Sequence, residues 1–198
     1  MSDELTNAPY LRDVVLSTRE RLSREPGAAR MRPWVSTRLE QDVRAVARFM
    51  QYDQPYEFRC DESPARAGLG SAPSPMRYLL SGLAFCLQVW CAKVAALHDA
   101  ALHELQIDVR TLLDMRGEHL VDDVPAHPQW FVLDVRLRSP APPDAVIAVV
   151  REAARRCPVT SLVRAAVPVY LLITHNGTTT YDDRPDELSK EHEEMTTR

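Results

Sequence analysis

Two cysteines in unusual sequence settings are the residues of this chain best suited to chemistry. Cys86 lies inside a long apolar stretch that begins at Met76, and Cys157 lies at a helix-breaking junction directly before Pro158. If the fold brings the two sulfurs together, they form a dithiol that can be oxidised to a disulfide and reduced again. If it does not, both cysteines are small apolar residues of a core.

The composition is that of an ordinary globular protein. The chain has 198 residues, 45% of them hydrophobic and 26% charged, and a formal net charge of −4. This size predicts one main domain, and this charge gives no reason to expect nucleic acid or an anionic membrane as a partner. Four cysteines do not make a disulfide scaffold here, and the acidic N-terminus lacks the pattern of a signal peptide, so we expect the reducing cytoplasm.

The apolar stretch 78–97 is the element that would carry Cys86. Its length suits a membrane span, but it contains Gln88 and Lys93, so we interpret it as a core helix. Pro75 suits the first helical position, which predicts a helix from 75 to about 97. Almost every face of this helix is apolar, so we expect it to be buried on all sides, which favours a dimer.

The other elements follow from residue periodicity and from helix and turn breakers. A helix is predicted over 8–24, and alternating residues predict a three-stranded meander within 34–60. Prolines and glycines leave 61–75 without regular structure. Further along the chain we predict two strands, a helix capped by Asp144, a short helix and a last strand: 105–113, 130–138, 145–156, 161–165 and 169–174.

The chain therefore divides into three parts. Residues 1–32 form a helical extension, residues 33–178 form the main domain, and residues 179–198, which are charged and lack an apolar period, form a disordered tail.

The element order and three local motifs resemble the OsmC/Ohr family of thiol-dependent hydroperoxide reductases. The motifs are a turn-rich approach to the long helix, an apolar run that ends in a cysteine, and a Cys-Pro junction: Cys60-Asp-Glu-Ser-Pro64 with Gly70-Ser-Ala-Pro-Ser-Pro75, Leu79-Leu-Ser-Gly-Leu-Ala-Phe-Cys86, and Cys157-Pro-Val159. The resemblance covers about residues 33 to 175. It implies an α+β fold and an intertwined homodimer, in which two central helices pack against antiparallel sheets shared between subunits. The active sites then lie at the interface.

The resemblance also implies the roles of the site residues. Cys86 matches the peroxidatic cysteine, which attacks an organic hydroperoxide as a thiolate, and Cys157 matches the resolving cysteine. An external dithiol then reduces the disulfide. The family supplies an arginine for the thiolate from an N-terminal strand. Arg44 stands at the matching place, and Arg38 and Arg48 are alternatives.

One departure from the family pattern weakens the expectation of peroxidase activity. The hydroperoxide-resistance branch carries a glutamate in the first turn of the central helix, or an acid one residue later. Here these places hold Met76 and Arg77. Either another carboxylate such as Glu62 substitutes, or activity is weak or lost. Arg77 is also a candidate for the cation. The alternative function is an inactive protein of this fold that binds a small apolar ligand at the dimer interface.

The remaining cysteines and the histidines give no second site. Cys60 and Cys91 match no family role and are expected to be structural. His98 and His103 lack the spacing of metal ligands, so we expect no metal and no cofactor. The expected partners are a second copy of the chain, a hydroperoxide substrate and an external dithiol, with no nucleic acid and no membrane.

Overall fold

The computed structural model describes residues 5–6 and 8–190. It divides into an N-terminal unit, Thr18–Ser81, and a C-terminal unit that runs from Gly82 to residue 190 and includes the described residues up to Ser17. The helices and strands are, in chain order, α1 (Ala8–Arg24), β1 (Ser36–Gln41), β2 (Arg44–Gln51), β3 (Gln54–Cys60), α2 (Pro75–Leu97), β4 (Glu104–Thr111), α3 (Met115–Glu118), β5 (Phe131–Arg138), α4 (Pro143–Arg156), α5 (Pro158–Arg164), β6 (Val169–His175) and β7 (Thr178–Asp182).

Helix α1 has the bounds that its periodicity predicts, but none of its residues is fully buried. Its first turns are held to the C-terminal unit by Arg12. The Arg12 Nε donates to the Ala96 carbonyl at 2.8 Å, and its guanidinium forms an ion pair with Asp99. A short 3-10 turn over Pro26–Ala29 follows the helix.

The N-terminal sheet is the predicted meander, with strand ends that differ by one or two residues. Its three strands pair antiparallel in the order β1-β2-β3. The turns place Asp42 and Asp53 at φ values of 52° and 57°, a left-handed conformation that aspartate tolerates. Of the residues in these three strands, all of which the structure describes, only Val46 is buried.

The segment between β3 and α2 is organised by one buried carboxylate. Asp61 is 1% exposed and accepts hydrogen bonds from the backbone N–H groups of Glu62, Leu69 and Ser71 and from the Ser71 hydroxyl. These hydrogen bonds, of which that from the Ser71 backbone N–H has the largest effect, lower the pKa of Asp61 to about 2. Burial acts in the opposite direction but is outweighed. Contrary to prediction, this segment holds a short 3-10 turn, Pro64–Arg66.

Helix α2 has the predicted bounds, but the expectation that it is buried on all sides is wrong for the single chain. One face is buried through Leu83, Leu87, Cys91 and the residues Val94–Ala96. The other carries exposed apolar side chains, including Phe85 and Val89, which are 65% and 50% exposed. By length and composition the helix suits a membrane span, yet it is the partly buried core helix of its fold.

The C-terminal sheet has the order β4-β5-β6-β7. Strands β5 and β6 are parallel, and α4 and α5 form the crossover between them, with α4 lying against β6 and β7. Six of the eight residues of β5 are buried. One helix prediction needs correction: Pro142 and not Asp144 occupies the N-cap position of α4, and Asp144 lies in its first turn. The segment after β4 contains the short helix α3.

The prediction of a disordered tail from residue 179 is wrong for residues 179–182 and 186–190. Strand β7, Thr178–Asp182, pairs antiparallel with β6, and residues 186–190 are helical. Residues 191–198 lie outside the described residues. The other two parts of the predicted division stay a prediction.

Candidate active site

The structure brings the Cys86 and Cys157 thiols together in the C-terminal unit. Cys86 lies about three turns into α2, and Cys157 lies at the junction of α4 and α5. The Cys157 thiol lies close enough to Cys86 to raise its pKa, and both cysteines are free thiols. Cys86 is half-buried, while Cys157 is fully buried. This arrangement is a pair of neighbouring thiols, one half-buried and one buried.

The Cys-Pro junction explains why the second thiol stands where it does. The Cys157 backbone N–H donates to the Ala153 carbonyl at 2.9 Å and so closes α4. Pro158 has no N–H and cannot continue that helix, but it suits the first position of a new one. Cys157 becomes the cap of α5, and its sulfur accepts the Thr160 backbone N–H at 3.4 Å. We expected this short helix to begin at 161, and it begins at Pro158 because the cysteine caps it.

Burial and three neighbouring groups decide the pKa of the Cys86 thiol. Burial raises the pKa of Cys86, and the Cys157 thiol beside it raises the pKa further. The Val159 backbone N–H and the positive charge of Lys93 act in the opposite direction, but the balance still raises the pKa. A thiolate at Cys86 therefore needs more positive charge than these neighbours supply.

A group of charged side chains around one indole lies beside the two thiols. Trp90 is one helical turn after Cys86, and its ring centroid lies 5.1 Å from the Lys93 Nζ and 6.0 Å from the Arg156 guanidinium carbon. Glu152 holds Arg156 at 2.6 Å and His98 at 2.8 Å. We call these residues the Trp90 cluster: Trp90, Lys93, His98, Glu152 and Arg156.

The Trp90 cluster links the two helices that carry the cysteines. Arg156 directly precedes Cys157 at the end of α4, and Trp90 follows Cys86 on α2. Sequence analysis missed this cluster. The spacing of Cys86, Trp90 and Lys93 along one helix face was a signal for half of it, whereas the α4 half depends on tertiary packing.

The other two cysteines occupy different settings. Cys91 is 1% exposed on α2, and burial, together with the nearby Cys157, raises its pKa to about 12. It therefore stays a thiol at neutral pH, as expected for a structural residue. Cys60 ends β3 in the N-terminal unit and is half-buried.

The three candidate arginines of the N-terminal strands, Arg38, Arg44 and Arg48, differ in their hydrogen-bond and ion-pair partners. Arg38 pairs with Glu40 at 3.5 Å, and Arg48 pairs with Glu57 at 2.7 Å. Arg44, the first residue of β2, has no carboxylate partner among the described residues. Its guanidinium donates to the side chain of Gln41, and its Nε is buried without a hydrogen-bond partner in the described part of the chain.

The carboxylate that was considered as a substitute for the missing acid is already engaged. The Glu62 carboxylate accepts the Arg66 Nε at 3.1 Å, within the segment that Asp61 organises. Met76 and Arg77 occupy the first turn of α2. The N-terminal unit therefore pairs Glu62 with Arg66, not with Arg44.

Thr160 is a further residue that sequence analysis missed. It is fully buried next to the Cys157 cap, and its hydroxyl has no hydrogen-bond partner among the described residues. A buried hydroxyl without a partner is costly and uncommon in proteins. Only the position three residues after a capping cysteine could have drawn attention to it.

The site and fold define a class of α+β protein with a paired thiol at the junction of a long apolar helix and a Cys-Pro helix break. Residues 68–171 match the sequence model of the OsmC-like protein family, and the chain belongs to this family. No curated protein matches the sequence significantly.

Solved structures show the same fold at low sequence identity. An OsmC-like protein from Mycoplasma pneumoniae superposes with a TM-score of 0.61 at 17% identity, over 73% of this chain and 99% of that one. An organic hydroperoxide resistance protein OsmC from Legionella pneumophila gives 0.53 at 14%, over 73% and 99%. An organic hydroperoxide resistance protein from Elizabethkingia anophelis gives 0.54 at 10%, over 74% and 99%. The fold is therefore α+β and OsmC-like.

Proposed function

We propose that this protein is a cytoplasmic, thiol-dependent peroxidase that reduces organic hydroperoxides through Cys86 and Cys157. The observation that carries the proposal is the proximity of these two thiols, one half-exposed and one buried. The half-exposed thiol is open to a substrate. The buried thiol is protected from solvent oxidants and is placed to react with the first.

The proposed cycle balances with an external dithiol as reductant. The Cys86 thiolate attacks the distal oxygen of the hydroperoxide, the O–O bond breaks, and the alkoxide leaves as an alcohol after protonation. The sulfur has then become a sulfenic acid. Attack by the Cys157 sulfur forms the disulfide and releases water, and the external dithiol returns both cysteines to thiols while becoming oxidised itself. No cofactor takes part.

The thiolate requires a cation, and we propose that Arg44 provides it. The pKa of Cys86 is raised, so the neighbours in its own unit leave it mostly protonated at neutral pH. An arginine lowers the pKa of an adjacent acid and stays charged itself. Among the three arginines of the N-terminal strands only Arg44 lacks a carboxylate partner within the described residues, and its buried Nε is unsatisfied. The other candidate, Arg77, is exposed.

We also propose that the active form is a homodimer. The family resemblance implies one, and the uncovered apolar face of α2 supports it. Phe85 and Val89 expose apolar area on a helix whose opposite face is core. Exposed contiguous apolar surface of this kind is typical of an interface. A second copy of the chain is the occupant that the family implies.

A second function is favoured by two features of the protein. The raised pKa of Cys86 and the engagement of Glu62 by Arg66 suit a protein of this fold without peroxidase activity. Such a protein would bind a small apolar ligand at the dimer interface.

Stopped-flow oxidation by cumene hydroperoxide separates the two functions. We expect the wild-type protein to lose two thiols per chain, and Cys86→Ser to lower the rate at least 100-fold. Cys60→Ser is the matched control and should react like the wild type. Equal rates for the wild type and Cys86→Ser would overturn the peroxidase proposal. Calorimetric binding of cumyl alcohol to both proteins would then favour the ligand-binding function.

A further inference from the structure

Three residues of α2 form a half-buried stripe that includes the candidate nucleophile. Cys86, Trp90 and Lys93 are spaced i, i+4 and i+7, so they lie on one side of the helix. All three are neither buried nor fully exposed, whereas Leu83 and Leu87 on the core face are 0% exposed. The stripe therefore places a thiol, an indole and an ammonium group in a row beside the core.

The charge of Lys93 has no counter-charge in the described part of the chain. No carboxylate lies within ion-pair distance of its Nζ, and the group lies instead 5.1 Å from the Trp90 ring centroid. Arg156, which shares the same ring, is neutralised by Glu152 at 2.6 Å. Partial burial of an ammonium group that contacts only an aromatic ring costs free energy, and a nearby anion reduces that cost.

The stripe holds one group that can become an anion, the Cys86 thiol. We propose that Lys93, held over Trp90, is a positioning residue that stabilises the Cys86 thiolate from its own helix. This inference rests on the proposed function, in which Cys86 is the nucleophile, and adds to it a cation outside the N-terminal strands. Lys93 does not touch the reacting sulfur, and it acts through its field along the helix.

The other groups around Cys86 leave this role to Lys93. From the α5 side the sulfur faces the Cys157 side chain and the Val159 N–H. From α4, Arg156 and Glu152 form a pair whose charges largely cancel. His98, the residue directly after α2, contacts the same glutamate. The charge of Lys93 lowers the pKa of Cys86, against the effect of burial.

The expected size of the effect follows from the geometry of the helix. Seven residues of a helix separate the Cα atoms of Cys86 and Lys93 by about 10 Å along the axis, and we take this as the separation of the two charges. At an effective dielectric constant between about 20 and 80, a unit charge at that distance lowers a pKa by roughly 0.3 to 1. Because the pKa of Cys86 lies above neutral pH, the thiolate fraction at pH 7 changes by about 2- to 10-fold.

The test is the pH profile of Cys86 alkylation by iodoacetamide, followed for the Cys86 peptide by mass spectrometry. Lys93→Gln should raise the apparent pKa by roughly 0.3 to 1, and slow alkylation at pH 7 about 2- to 10-fold. Lys93→Arg keeps the charge and should restore the wild-type profile. Lys190→Gln removes the other lysine of the sequence, which is exposed, and should change nothing.

Two outcomes would overturn the inference. One is a Lys93→Gln profile that coincides with that of the wild type. The other is a Lys93→Arg profile shifted as far as that of Lys93→Gln, which would mean that the shape of the side chain matters and its charge does not. Circular dichroism checks that each variant is folded, and Lys93→Met, which keeps the apolar stem, replaces Lys93→Gln if that variant unfolds. Because no peroxide is used, loss of the peroxidase proposal and loss of this inference are separate results.

Discussion

The two sheets of this protein differ in how they obtain a core. In the C-terminal sheet, Leu133 and Val135 of β5 are 0% exposed. In the N-terminal sheet, Leu39 and Phe58 are 65% and 48% exposed, and of the three strands only Val46 is buried. The C-terminal unit therefore carries its own core together with the thiol pair. The N-terminal sheet carries Arg44 and leaves all but one residue of its strands exposed or half-buried.

The comparison is tested most strongly by one truncation in each sheet. Leu133→Ala should lower the free energy of unfolding by about 2 to 5 kcal/mol, because it leaves a cavity in a packed core. Phe58→Ala should cost about 1 kcal/mol or less in dilute solution, and more as the concentration rises, if a second copy covers that sheet. Urea denaturation at two protein concentrations measures both. A concentration-independent cost for Phe58→Ala equal to that of Leu133→Ala would contradict the comparison.

A charge on the uncovered face of α2 probes the expected dimer directly. Phe85→Glu should convert a dimer to a monomer at micromolar concentration, with at least a tenfold rise in the dissociation constant, because a carboxylate would be buried in an apolar interface. Light scattering after gel filtration measures the mass. Leu120→Glu is the control, since Leu120 is 91% exposed and lies two residues after the end of α3. A dimer that persists in Phe85→Glu would place the interface elsewhere.

Arg44 tests whether the N-terminal unit serves the thiols of the other unit. Arg44→Met should raise the apparent pKa of Cys86 by about 1 to 3, and slow its reaction with hydroperoxide at pH 7 at least tenfold. Arg48→Met is the matched control on the same strand, because Arg48 already pairs with Glu57. Stopped-flow rates across pH measure both. Equal effects of the two substitutions would remove Arg44 from the site.

The smallest predicted effect is the acid dependence that Asp61 gives to the N-terminal unit. Its pKa is lowered to about 2, so its stabilising effect is complete above the pKa of an unfolded aspartate, about 4. That effect is lost as the pH falls from about 4 towards 2. Asp61→Asn should lower the melting temperature at pH 7 and flatten its dependence on pH in this range. An unchanged slope in the variant would show that another carboxylate is responsible.

The sequence predicted the elements with strong local signals. The bounds of α1 and α2 are confirmed, because an apolar period, Pro75 and Pro26-Gly27 mark where these helices begin and end. Strand β7 was missed because its residues are polar threonines beside acidic ones, and its formation depends on pairing with β6. A local sequence signal does not report such pairing.

The site was predictable to a smaller extent. The family resemblance pointed to Cys86 and Cys157, and the structure places them together, although their separation in sequence says nothing about distance in space. The orphan hydroxyl of Thr160 and the Trp90 cluster depend on the packing of α4 and α5 against α2. The partners that separate Arg44 from Arg38 and Arg48 also appear only in the folded strands.

The central claim, that Cys86 and Cys157 form a working dithiol, is tested most directly by mass spectrometry after one equivalent of cumene hydroperoxide. We predict that the intact protein loses two hydrogen atoms and that a digest contains the Cys86 and Cys157 peptides joined by a disulfide. Cys157→Ser should instead stop at a Cys86 sulfenic acid that dimedone traps. A wild-type protein that remains fully reduced, or a disulfide that involves Cys60 instead, would contradict the account.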